Sequence, residues 1–210
     1  MRRFNNLWTA VGFAGLALSG CAALEPKADP SRFFTLTPVS QFDQNRPHDS
    51  PGRGGISIGI GPVKLPGYLD REQLVIRVSQ NRFQVAENDR WAEPLEENFT
   101  RVLLQNLTAL VPTARFVSYP WRPSERPDYQ LEINVLRFEP NAAAHVELIA
   151  RWFVREAATK QASAVKETRL TPSVKGSSTE AAVAALSGAL GEFSREIAQA
   201  LQALEAKAKP

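Results

Sequence analysis

A single thiol, two imidazoles and a few closely spaced carboxylates are the groups in this 210-residue chain that have the makings of chemistry. Cys21 is the only cysteine, so no internal disulfide can form, and the thiol is left to react, ligate, pack or be modified. His48 and His145 stand far apart with no cysteine or second histidine at ligand spacing, and no metal site is expected from them. Asp70 and Glu72 fall in a turn-rich stretch with nothing apolar to shift a pKa, while Glu96 and Glu97 diverge by about 100° on a helix. Both pairs read as solvated charge rather than as an acid and a base. Gly59 and Gly61 begin like a dinucleotide loop, yet the third glycine is missing and Pro62-Val63-Lys64 does not open a helix. No nucleophile elbow, phosphate loop or HExxH helix occurs, so no enzyme activity, cofactor or metal is expected.

The flanks of Cys21 select among the fates of its thiol. Met1-Arg2-Arg3 supplies a positive start and Leu7 to Leu18 an apolar stretch, short of the ~20 residues that span a bilayer. Small Ser19 and Gly20 follow, and Leu18-Ser19-Gly20-Cys21 has the form of a lipobox: small residues admit the backbone to a protease, and the thiol accepts a diacylglycerol group. An ordinary signal peptide or a retained anchor is the alternative. On the lipobox reading residues 1–20 are a signal, Cys21 is the lipidated first residue, and Ala22 to Pro30 form a tether reaching at most ~30 Å. At ~0.8 kcal/mol per buried methylene, one acyl chain holds a protein marginally and two or three hold it firmly. An aspartate after the cysteine retains such proteins at the inner membrane of enteric-type bacteria; Ala22 points instead to the outer membrane, facing the periplasm. Removing residues 1–20 takes away Arg2 and Arg3 and no acid, so the formal charge of +3 falls by two to +1, and no nucleic-acid partner is indicated.

The elements that follow the tether are legible from their periods. "RFFTLTP" predicts a strand over Arg32 to Thr37, and "VSQFDQNRPHDSPGRGG" a polar loop. "ISIGIGPV" sets Ile56, Ile58 and Ile60 on one face and leaves the other bare at Gly59 and Gly61, which suits close approach of backbone or a helix. "QLVIRVS" and "RFQVAE" predict a hairpin around Ser79, Gln80 and Asn81. From Leu95 the period becomes helical, with Phe99, Val102, Leu103, Asn106, Leu107 and Leu110 on one stripe between Pro94 and Pro112. A strand near "RFVSYP" precedes two long alternating strands, "DYQLEINVLRFEP" and "HVELIARWFVRE", expected to pair antiparallel about Glu139-Pro140-Asn141, and "AVKETRLTP" can add another. Ser177 and Glu180 stand at capping-box spacing before a long helix whose stripe runs Val183, Leu186, Leu190, Phe193, Ile197, Leu201 and Leu204. Such a stripe predicts core packed against a sheet, with a partner seam as the alternative. The fold class expected is α/β of α+β type: a single domain over residues 31–210 with a mixed, mostly antiparallel sheet and two main helices.

"GPVKLPGYLDREQLV" and "DRWAEPLEENFTRVLLQNL" carry more. From the residues alone they are a turn between strands and a tryptophan ahead of a helix, where Trp91 can plug the helix start with Arg90 and Glu93 paired at its rim. Gly61-Pro62-Val63, Leu65-Pro66, Tyr68-Leu69-Asp70-Arg71, Gln73-Leu74-Val75, Arg90 to Leu95, Asn98, Arg101 and Tyr119-Pro120-Trp121 also resemble, in order, the ABC-type transport auxiliary lipoprotein family, the membrane integrity-associated transporter subunits. The likeness runs over nearly the whole mature chain; the "QNRPHDSPGRGG" loop departs from it. The resemblance implies a mixed sheet with helices packed on it and no cofactor or catalytic residue. It further implies an outer-membrane-anchored lipoprotein, a homo-oligomer and possible ring, that docks an MCE-domain protein forming a lipid conduit across the periplasm. The docking residues expected are Lys64, Leu65, Pro66, Tyr68, Leu69, Asp70 and Arg71 with Arg90, Trp91 and Glu93. A carrier whose sheet and C-terminal helix part around a phospholipid, or a regulator of cell-wall synthesis, is the alternative function.

Overall fold

The computed structural model describes residues 28–39, 55–122 and 124–208. Cys21, the signal segment, most of the tether and the "QNRPHDSPGRGG" loop up to Gly54 lie outside the described residues. Ser31–Pro210 is one compact unit of α+β type, and no helix among the described residues is long and apolar enough to cross a membrane.

The strands divide between two sheets. The smaller has the order β1-β4-β3, from β1 (Arg32–Phe34), β3 (Gln73–Ser79) and β4 (Arg82–Trp91). The larger has the order β5-β2-β6-β7-β8, from β2 (Ser57–Lys64), β5 (Arg115–Ser118), β6 (Tyr129–Pro140), β7 (Val146–Glu156) and β8 (Ala162–Leu170). β3 and β4 form the expected antiparallel hairpin, and β1 joins β4 in parallel. β2 lies parallel to both β5 and β6, whereas β6, β7 and β8 run antiparallel.

Helices α1 (Leu95–Leu110) and α2 (Thr179–Ala208) pack against each other and against one face of the larger sheet. That face is built by alternation: Ile58 and Ile60 from β2, Leu131, Ile133 and Val135 from β6, and Val146, Leu148, Ala150, Trp152 and Val154 from β7 are buried. α1 covers it with Phe99, Val102, Leu103 and Leu107, and α2 with Leu186, Leu190, Phe193, Ile197 and Leu201. The stripe of α2 is therefore core, as its spacing predicts. Its cap is one residue later than the sequence suggests. Ser178 Oγ, not Ser177, accepts the Ala181 N–H at 3.2 Å.

Two boundaries also move. β1 stops at Phe34 instead of continuing to Thr37, because Thr35–Val39 leaves the sheet and runs along both helices as a strap. Asn98 Oδ1 accepts the Leu36 N–H (3.3 Å), Ser187 Oγ the Thr37 N–H (3.1 Å) and Asn106 Oδ1 the Val39 N–H (2.8 Å). Asn98 and Asn106 are fully buried, and these bonds answer the polar groups that their burial would otherwise strand. In β6 the register shifts between Val135 and Arg137, so the extra residue inverts the alternation. Phe138 and Pro140 turn inward, the strand runs on to Pro140, and Glu139 belongs to the sheet rather than to the turn. The turn itself is closed by Asn141 Oδ1, which accepts the N–H groups of Ala143 (3.0 Å) and His145 (3.1 Å).

Candidate functional site

The structure places the ten expected docking residues in different environments. Lys64 closes β2 exposed, and Leu65 and Pro66 lead from it toward α1, where Glu96 Oε2 accepts the Leu65 N–H at 3.3 Å. Pro66, Gly67, Tyr68 and Leu69 then form one 3-10 turn, in which the Leu69 N–H donates to Pro66 O at 2.9 Å. Leu69 is buried and belongs to the core; Asp70 and Arg71 are exposed. Trp91 is 6% exposed and pairs in register with Phe34, so it fills the place ahead of α1 as a packing residue.

Arg90 and Glu93 do not pair with each other. Arg90 reaches across the hairpin to Glu72 at 3.0 Å, and Glu93 pairs with Arg101 on the next turns of α1. The reason is geometric: the chain leaves β4 at Trp91, so the two side chains start from different elements and each meets the nearest opposite charge. Among the carboxylates weighed for acid-base work, Glu72 and Glu96 hold these partners and Asp70 is exposed. No group of three or more His, Cys, Asp or Glu residues that could hold a metal ion occurs among the described residues.

Tyr68 turns inward to a buried polar cluster that the sequence reading missed. Its hydroxyl donates to Glu139 Oε2 at 2.7 Å, the Phe138 N–H donates to the same oxygen at 2.8 Å, and Arg77 Nε donates to Oε1 at 2.7 Å. Glu139 is 1% exposed. The Arg77 guanidinium lies over the Phe83 ring at 4.3 Å, and Phe83 stacks on Tyr68 at 4.5 Å. Burial, and then the bond to the Glu139 carboxylate, push the Tyr68 hydroxyl well above the ordinary tyrosine value. The cluster fastens the small sheet and the 3-10 turn to β6, a structural role for Tyr68. A glutamate at the end of an apolar strand was the one available signal, and the bulge hid it.

The bare face of β2 has another use than the expected one. A Cβ on Gly59 would stand 2.7 Å from Trp121 Cζ3 and 2.9 Å from Pro127 Cγ, and one on Gly61, at φ +118°, would stand 2.7 Å from Tyr119 Cβ. The glycines make room for aromatic side chains from the segment after β5, not for backbone or a helix. Tyr119 and Trp121 meet edge to face with centroids 5.3 Å apart. Tyr119, Lys64, Glu96, Glu97, Thr100 and Leu104 line an open groove of ≈ 460 Å³ at the carboxyl ends of β2 and β5.

Residues 34–198 match the sequence profile of the ABC-type transport auxiliary lipoprotein component. The chain belongs to this family. As an ABC-type transport auxiliary lipoprotein component, it is 24% identical over 144 residues to the intermembrane transport lipoprotein PqiC of Escherichia coli (strain K12), an alignment covering 69% of this chain and 72% of that protein. The same figures hold for PqiC of Shigella flexneri. Protein XCC0632 from Xanthomonas campestris has the same fold, with a TM-score of 0.66 at 16% identity over 85% of this chain and 100% of its own. A second solved structure, of an uncharacterised protein, has a TM-score of 0.66 at 18% identity, over 80% of this chain and 97% of that one. The family is one of transport auxiliaries, which points away from catalysis.

Proposed function

We propose that this protein is a non-catalytic docking lipoprotein of an MCE-type lipid transport system. Acyl chains on Cys21 anchor it to the periplasmic face of the outer membrane, residues 22–30 serve as its tether, and the folded body, assembled as a homo-oligomer, receives the MCE conduit. Membership of the transport auxiliary family, with PqiC among the relatives, carries this reading. The packing favours docking over lipid carriage. Leu190, Phe193, Ile197 and Leu201 of α2 are fully buried against the sheet, and the strap bonds to α1 through Asn98 and Asn106 and to α2 through Ser187. Parting α2 from the sheet would expose this core and break the Thr37–Ser187 and Asn106–Ser194 bonds, a cost of several kcal/mol that an acyl chain would have to offset.

Two measurements on the full-length protein test it. Fractionation of envelopes should find the wild type with the outer membrane and Cys21→Ser released from it. Affinity purification from detergent-solubilised native membranes should recover an MCE-domain protein with the wild type. Recovery of no MCE-domain protein, or unchanged localisation of Cys21→Ser, overturns the reading.

A further inference from the structure

Tyr119 is an exposed aromatic with both its backbone and its ring supported. Its backbone N–H donates to Ile60 O at 2.9 Å, its ring rests edge-on against Trp121, and Trp121 is seated over Gly59. Even so, 53% of Tyr119 faces solvent. A rigid, solvent-facing ring loses little rotamer freedom on being covered, which is the property of an interface anchor. It stands at the wall of the groove whose opposite side is the first turns of α1.

The charges around that groove are uneven in a useful way. Glu96 is engaged by the Leu65 N–H and Arg101 by Glu93. The side chains of Lys64 and Glu97, both exposed and both lining the groove, have no ion-pair or hydrogen-bond partner among the described residues. One free cation and one free anion flank an aromatic wall, and a volume of ≈ 460 Å³ admits a few side chains. A bare acyl chain would leave both ions against hydrocarbon, a costly arrangement, whereas a polypeptide can answer each of them.

We propose that this groove receives a polypeptide segment of the partner, with one apolar side chain against the Tyr119 ring, an acidic residue facing Lys64 and a basic residue facing Glu97. This rests on the docking function proposed above and gives it a site. Of the residues expected to dock, Lys64 lines that site and Leu65 adjoins it through its bond to Glu96, whereas Leu69 and Trp91 are buried and the Tyr68 hydroxyl bonds to Glu139.

The test uses the full acylated chain in its native membrane, with a photoreactive phenylalanine analogue in place of Tyr119 or, as a control, in place of Val165 on the far edge strand β8, where 75% of the side chain's residue is exposed. Irradiation should link position 119, and not position 165, to an MCE-domain protein. Tyr119→Ala and Lys64→Glu should each lower the amount of that protein co-purified at least about tenfold, with the thermal midpoint of the domain unchanged. Lys64 is exposed and its side chain is unpartnered among the described residues, so Lys64→Glu keeps the test alive if Tyr119→Ala disturbs the fold. If the wild type recovers the MCE-domain protein but position 119 never links to it and both variants retain it, the groove is overturned and the docking function stands. If the wild type recovers none, both fall. A link from position 119 to a second copy of this chain overturns the groove as a partner site.

Discussion

Glu139→Ala should be among the most damaging single changes in the folded unit that leave its apolar core intact. The carboxylate is 1% exposed and accepts three hydrogen bonds of 2.7 to 2.8 Å. Removing it leaves the Arg77 guanidinium, whose side chain is only 13% exposed, without its counter-charge, and leaves the Phe138 N–H and the Tyr68 hydroxyl without an acceptor. Breaking a buried pair from one side costs about 3–5 kcal/mol, mostly the penalty of the stranded charge. Arg77 keeps some solvent contact, and Tyr68 is partly exposed, so the lower end applies: about 3 kcal/mol. For a domain of this size that corresponds to a fall in thermal midpoint of about 6–12 °C.

Urea unfolding followed by tryptophan fluorescence and circular dichroism measures the loss, with the slope m reporting whether the native state keeps its compactness. Two further variants separate the stranded charge from general disruption. Glu139→Gln keeps one acceptor oxygen and should fall between wild type and Glu139→Ala. The double change Arg77→Met with Glu139→Leu removes both charges and should recover part of the stability lost in Glu139→Ala. A Glu139→Ala protein within about 0.5 kcal/mol of wild type at unchanged m would refute the reasoning, since the stranded Arg77 charge should alone exceed that.

Three other outcomes follow from the geometry. Gly59→Ala should lose about 1–3 kcal/mol, because its Cβ meets Trp121 Cζ3 at 2.7 Å, and the loss should shrink when Trp121 is also replaced by alanine; thermal melts of the single and double variants check it. Ser178→Ala should cost about 1 kcal/mol and Ser177→Ala close to nothing, since Ser178 Oγ holds the Ala181 N–H; denaturant midpoints distinguish the two. The neutral Tyr68 hydroxyl is favoured in the folded state, so its contribution is intact below the ordinary tyrosine value of about 10 and is lost as pH rises above it, when the unfolded chain ionises first. Stability should therefore decline on the alkaline side, and Tyr68→Phe should flatten that decline in urea midpoints taken from pH 8 to pH 11.

The parts of the fold that are legible in the sequence are those where one physical rule acts alone. Along β7 every second residue from Val146 to Val154 is buried, and the pattern is unbroken in the sequence because no bulge interrupts it. β6 begins the same way and then slips by one residue between Val135 and Arg137, so a local pattern assigns Glu139 to a turn although three donors hold it in the sheet. The end of β1 is set from outside: aromatic and β-branched residues favour a strand to Thr37, but Asn98 and Asn106, 62 and 67 residues away from the N–H groups they accept, draw the strap onto the helices. Arg90 finds Glu72 for a similar reason, since the hairpin brings together residues 18 positions apart while Glu93 leaves with the helix.

The proposed docking surface is the hardest part to read, and the difficulty is physical. A core residue announces itself by being apolar at a position whose period points inward. Lys64, Glu97 and Tyr119 are all residues that water tolerates, so nothing in their neighbours distinguishes a waiting contact from an ordinary solvated side chain. What distinguishes them is support. Gly59 and Gly61 are poor strand residues, and from the sequence their bare face suits only the close approach of backbone or a helix. In the fold their missing side chains seat Trp121 and Tyr119, so two unfavourable strand positions are retained where they fix an exposed ring beside two unpaired charges. A local choice that runs against strand formation and yet organises a solvent-facing groove supports the binding role proposed for that groove, beside the packing role the glycines hold in the fold.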